Sequence, residues 1–155
     1  MGTSAIVIVK EDIQNGKLKH AIRPKITDDD AVKNVLLKLY IHYDGYESYT
    51  GKQLLDIVKK FNEVRGIGDK QYLSAWIVKE LISGSKGNTF DGLGFGILHI
   101  NDSVKYQDFI YIVQDNKVLV YNQDILICVH ELVLHKRIGG DTYEWSVNLK
   151  STDRV

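Results

Sequence analysis

The stretch His42-Tyr43-Asp44-Gly45-Tyr46-Glu47-Ser48-Tyr49-Thr50-Gly51 holds the densest mixture of aromatic and polar groups in the chain. Its three tyrosines offer π-faces and hydroxyls suited to stacking on a base or ring. Asp44 and Glu47 offer acceptors or acid/base groups, and His42 carries the one side-chain type that titrates near neutrality unperturbed. Residues at the start of a following helix, Gly51 to Gln53, would present free backbone N–H groups to an anion. Two chemistries follow. The stretch is a binding loop, with His42, Tyr43, Asp44, Tyr46 and Tyr49 as contacts, or His42 is a general base oriented by Asp44 or Glu47. His42 and Asp44 share one face if the strand continues through Asp44, which makes that pairing possible. The plain structural alternative is a stiff turn in which Asp44 bonds the local backbone, Gly45 takes a positive φ and the tyrosines pack.

Other constellations carry less. His130-Glu131 resembles half of a zinc-protease helix, but the second histidine would have to stand at 134, which is Leu134. His135 is one place further, about 100° away on a helix and on the opposite face of a strand. No metal is expected. Cys128 lies between Ile127 and Val129, the setting of an inert core thiol. The glycines of DGLGFG, Gly92, Gly94 and Gly96, lack the strand-before, helix-after context of a dinucleotide loop and the Gly-Lys-Ser/Thr of a Walker loop. They read as turn or bulge glycines, and no cofactor is implied.

The elements that must position these residues are marked by period and punctuation. SAIVIVK (Ser4–Lys10) is a β-branched strand. Asn15-Gly16 and the alternating KLKHAIR then predict a hairpin partner for it, closed by Pro24. Thr27 can cap a short helix over Ala31–Val35, and Val35–Tyr43 reads as a strand. Leu54, Leu55, Ile57, Val58 and Phe61 form a helical stripe, predicting a helix over Gly51–Val64 with Thr50 and Gln53 as a capping box and Gly66 and Gly68 as terminators. A second helix, capped by Asp69, would turn Leu73, Trp76, Ile77 and Leu81 toward a sheet, with a loop over Ser83–Gly87. A strand at Phe95–Ile100 follows. Asp108–Gln114, Asp115-Asn116 and Lys117–Tyr121 spell the clearest hairpin. Ile125–His135 is too apolar for periodicity to separate strand from buried helix. Tyr143–Leu149 alternates as a strand, and Ser151–Val155 reads as a frayed tail. The sum is one α+β domain over residues 1–150, a mainly antiparallel sheet with two central helices packed on one face.

Composition bounds the function. At 155 residues the chain can bury one core without staples, and 44% hydrophobic with 26% charged residues is ordinary for a globular fold. Lys+Arg and Asp+Glu both number 20, so the basic excess that usually marks a nucleic-acid binder is absent. Zero net charge also removes a barrier to homo-oligomerisation. The single cysteine excludes an internal disulfide, and a cytoplasmic setting follows. The start shows no secretory signal pattern, and no run of apolar residues is long enough to span a membrane.

Met1-Gly2-Thr3, the segment Tyr43-Asp44-Gly45-Tyr46, Gly51, the helix after it and the late run YQDFIYIVQDNKVLVY together resemble a family of small proteins. That family is common in bacteriophages and scattered among bacteria and fungi. Its members begin Met-Gly-Thr-Arg and carry an aromatic-Asp-Gly-Tyr-Pro segment with two further glycines. The likeness spans residues 1–122 in outline. This chain departs from the pattern at Ser4, Tyr43, Glu47 and Tyr49, where the family has arginine, tryptophan, proline and glycine. The resemblance implies a phage or mobile-element origin, with no established activity to carry over. The expectation is a phage-type binding protein acting in the host cell on a host protein or a small nucleotide-like ligand, in takeover or counter-defence. A small hydrolase or transferase built on His42 is the alternative.

Overall fold

The computed structural model describes residues 3–12, 20–66, 68–84, 94–104, 107–139 and 142–153. Seven strands form one sheet in the order β3-β2-β1-β4-β5-β6-β7. They are β1 (Ala5–Lys10), β2 (Val35–Ile41), β3 (Phe95–Ile97), β4 (Phe109–Gln114), β5 (Lys117–Asn122), β6 (Ile125–Gly139) and β7 (Thr142–Asp153). The helices are α1 (Asp28–Val32), α2 (Lys52–Arg65) and α3 (Lys70–Gly84), with a π-helical turn at Glu47–Gly51 leading into α2. The fold is α+β, and α2 and α3 pack on one face of the sheet.

β1 is the centre. Every residue in it is buried, as befits a strand covered on both faces. It pairs antiparallel with β2, from Ala5↔Ile41 to Lys10↔Val35, and parallel with β4, from Ala5↔Phe109 to Val9↔Val113. Both edges of β1 are therefore occupied, which leaves no place for the hairpin partner expected around residues 17–23. Asn15-Gly16 lies outside the described residues. The described part, His20 to Pro24, instead crosses the sheet: Tyr121 donates its hydroxyl to the Arg23 carbonyl at 2.8 Å, and Leu126 N donates to the Pro24 carbonyl at 2.8 Å.

Alternation splits the core into two layers. Val7, Val9, Leu39, Ile41, Tyr111, Val113, Val118 and Val120 face the helices and meet Leu54, Val58, Phe61, Leu73, Ile77 and Leu81. Ile6, Ile8, Ile110, Ile112, Leu119 and Tyr121 face the other way, under Ala31 and Val104. Lys38 lies on that second side with its head group donating to the carbonyls of Ile100 and Asp102 at 2.9 and 2.8 Å. Burial lowers its pKa from the usual value, with the Asp102 carboxylate opposing.

Several local expectations need correction. Thr27 does cap α1 in a complete capping box with Asp30, but the helix runs over Asp28–Val32, earlier than its apolar residues suggest. Trp76 is 43% exposed, while Leu73, Ile77 and Leu81 are buried. Spacing explains this: 73, 77 and 81 repeat every four residues and carry the contact stripe, and Trp76 falls on its flank. There Lys79 covers its ring at 4.4 Å. Ser83 belongs to α3, and the rest of the expected loop over Ser83–Gly87 beyond α3 lies outside the described residues. Ile125–His135 is strand, paired along most of its length with β7. Ser151, Thr152 and Asp153 pair with His130, Val129 and Cys128 instead of fraying.

Candidate functional site

β2 ends at Ile41, so His42 and Tyr43 begin the loop rather than close the strand. The chain then turns at Asp44, which takes φ 58°. Gly45 does not hold the positive φ; Asp44 does, a conformation that Asp tolerates better than most residues. Gly45 is required for space. A Cβ there would stand 2.6 Å from Ala5 Cβ and 2.9 Å from Ala5 N. The loop thus lies directly on the start of β1.

Three hydrogen bonds fix it there. Gly45 N donates to the Thr3 carbonyl at 2.8 Å. The Tyr111 hydroxyl, from β4, donates to the Gly45 carbonyl at 2.7 Å. Thr50 Oγ1 donates to the Asp44 carbonyl at 2.7 Å. Thr50 is therefore not an N-cap. The helical turn starts at Glu47, three residues before it, and Tyr46 occupies the cap position without a side-chain cap bond. Tyr111 is fully buried, and burial, helped by the Glu47 carboxylate, pushes its phenol well above the ordinary range. It stays protonated and remains a donor across the working pH range.

With its backbone spent on the scaffold, the loop turns its side chains outward. Tyr43 is 56% and Tyr46 38% exposed. His42, Asp44, Glu47 and Ser48 are exposed as well, and Tyr49 is half-buried. The rings are ordered against one another: His42 and Tyr43 meet edge-on with centroids 4.4 Å apart, and Tyr46 and Tyr49 are tilted at 6.1 Å. All five residues expected to bind share this one loop.

The strand-face condition for pairing His42 with Asp44 is not met. β2 stops before Asp44 and Asp44 is turned away from extended backbone, so residues 42 and 44 do not share a strand face. His42 Nδ1 lies 2.8 Å from the Tyr40 hydroxyl. Among the described residues no group of three or more His, Cys, Asp and Glu side chains could hold a metal.

Sequence reading missed Gly94. Its carbonyl accepts from His42 N at 2.8 Å, and a Cβ on it would lie 3.2 Å from the Tyr43 ring. Of the described glycines of DGLGFG, Gly94 thus gives the Tyr43 ring its seat, while a Cβ on Gly96 would meet nothing within 4 Å; Gly92 lies outside the described residues. Tyr111 was also missed, because nothing near it in sequence announces a partner 66 positions away.

Cys128 is buried, as expected of a core thiol, yet its Sγ lies 3.4 Å from His130 Nε2. His130 Nδ1 is in turn 2.5 Å from Ser151 Oγ. These three side chains lie on β6 and β7.

No helix among the described residues is long and apolar enough to cross a membrane. No family model, no curated protein and no solved structure matches the chain.

Proposed function

We propose that the chain is a non-catalytic binding protein of phage type that engages a host protein through the loop His42–Tyr49, in takeover or counter-defence. One observation carries this reading: the loop's backbone is pinned by Thr3, Tyr111 and Thr50 while Tyr43 and Tyr46 face solvent. Tyrosine supplies large, amphipathic contact area at low entropic cost, and a loop already held in place has less order left to gain on binding. The exposed rings project from the surface, which suits a protein partner better than an enclosed small molecule. The family resemblance and the balanced charge fit the same reading.

The test is capture from host lysate by the wild type and by Tyr43→Ala/Tyr46→Ala, with a nucleotide panel run in parallel by thermal shift. Both side chains are exposed, so the variant should keep its stability within about 0.5 kcal/mol. A partner retained by the wild type and lost by the variant supports the proposal. Equal capture by both, or a melting shift from a nucleotide with no protein captured, refutes it.

A further inference from the structure

A cavity of about 650 Å³ lies between α2 and the helix-facing side of β5, β6 and β7. That volume is typical of small-molecule sites. Its construction follows from the pleat. Val118 and Val120 on β5, His130 on β6 and Leu149 on β7 point to the same side as the helices. α2 meets this end of the sheet with Lys52, Gln53, Leu55, Asp56 and Lys59 rather than with the buried stripe of Leu54, Val58 and Phe61. The floor is therefore apolar, and the wall above it is charged.

The charges are not balanced by pairing. Lys52 and Lys59 stand seven residues apart, two turns along one face of α2. Neither makes an ion pair among the described residues. Asp56, between them, is bound to Lys60 at 2.9 Å. Glu47 is the other carboxylate of the lining and sits by Tyr111. His130 is held by Cys128 and Ser151. An occupant thus meets Val118, Val120 and Leu149 with one part and the ammonium groups of Lys52 and Lys59 with another.

The geometry points to a second binding site, for a small amphipathic anion: an apolar body on the β5–β7 floor and a carboxylate head between Lys52 and Lys59. The cavity shares Glu47 with the loop but none of the loop's tyrosines. The experiment uses octanoate and 1-naphthoate, with octanol and octylamine as controls, read by thermal shift and by amide chemical shifts. Expected are saturable stabilisation by the two acids and shifts centred on Val118, Val120, His130 and Leu149, with octylamine inert. Lys52→Glu/Lys59→Glu should weaken the acids about tenfold, the size of two partly exposed ion pairs. Lys52→Gln/Lys59→Gln gives the same direction should the reversal fail to fold. Tyr43→Ala/Tyr46→Ala should bind the acids as the wild type does. The assignment is overturned by no saturable effect of either acid, by octylamine matching octanoate, or by lysine variants that bind the acids unchanged.

Discussion

The bond from the Tyr111 hydroxyl to the Gly45 carbonyl makes a quantitative claim. Tyr111→Phe removes one oxygen and leaves the ring packed between Phe109 and Gly51. The buried Gly45 carbonyl then loses its 2.7 Å donor. An orphaned buried acceptor costs about 1–3 kcal/mol. For a domain of this size that lowers Tm by roughly 3–10 °C. The pH dependence gives a second, sharper signature. The folded phenol is held above its ordinary 10.0 by burial and Glu47. A raised folded pKa means the stabilisation is fully present below pH 10 and is lost as the unfolded chain's tyrosine ionises above it. Tyr111→Phe lacks this term, so the advantage of the wild type should shrink by about 0.8 kcal/mol between pH 8 and 10.5. Urea denaturation at both pH values measures both effects, and amide exchange at Gly45 reports the local loosening. A variant within about 0.5 kcal/mol of wild type at pH 8, with a gap that does not change at pH 10.5, would refute the role given to this hydroxyl.

Other substitutions probe the same scaffold. Gly45→Ala places a methyl 2.6 Å from Ala5 Cβ and 2.9 Å from Ala5 N, and strand backbone cannot yield cheaply; calorimetry should show a loss of about 1–3 kcal/mol. Thr50→Val keeps shape and removes the donor to the Asp44 carbonyl; about 1 kcal/mol should be lost, with faster amide exchange at the loop and little change in α3. Lys38→Met tests the buried lysine. Its folded pKa lies below the ordinary 10.5, so the unfolded chain binds more protons between those values and wild-type stability gains with rising pH. Denaturation at pH 8 and 10.5 should therefore show the wild type improving relative to the variant; the opposite trend contradicts the sign.

Much of the fold is written in local signals. The stripe of Leu54, Val58 and Phe61 makes α2 legible, and Asp115-Asn116 marks the β4–β5 turn, with Asp115 at φ 51°. What local signals miss is competition between partners. A β-branched strand next to an Asn-Gly turn looks like half a hairpin, but β1 gains more from burial on both faces and both edges, between β2 and β4. The parallel β1–β4 pair joins residues about a hundred positions apart, and no neighbouring residue encodes it. Thr50 and Gln53 show the limit of motifs: the capping-box spacing is present, yet the π-helical turn starts the helical segment before Thr50 and its hydroxyl is spent on Asp44.

The site divides along the same line. The side chains that face outward, Tyr43, Asp44 and Tyr46, are legible because exposure needs no partner and polar residues between a strand and a helix tend to be exposed. The groups that hold them in place are not, because each is defined by something distant. Gly45 is glycine on account of Ala5, Gly94 on account of Tyr43, and Tyr111 is a tyrosine on account of Gly45. A loop supported in this way has its conformation set by the core. The exposed tyrosines can then vary with the partner while Gly45 and Tyr111 cannot. Saturation mutagenesis scored for folding alone should therefore tolerate change at residues 43 and 46 and reject it at 45 and 111; a scan in which the exposed tyrosines are the intolerant set would place them in the fold and not at an interface.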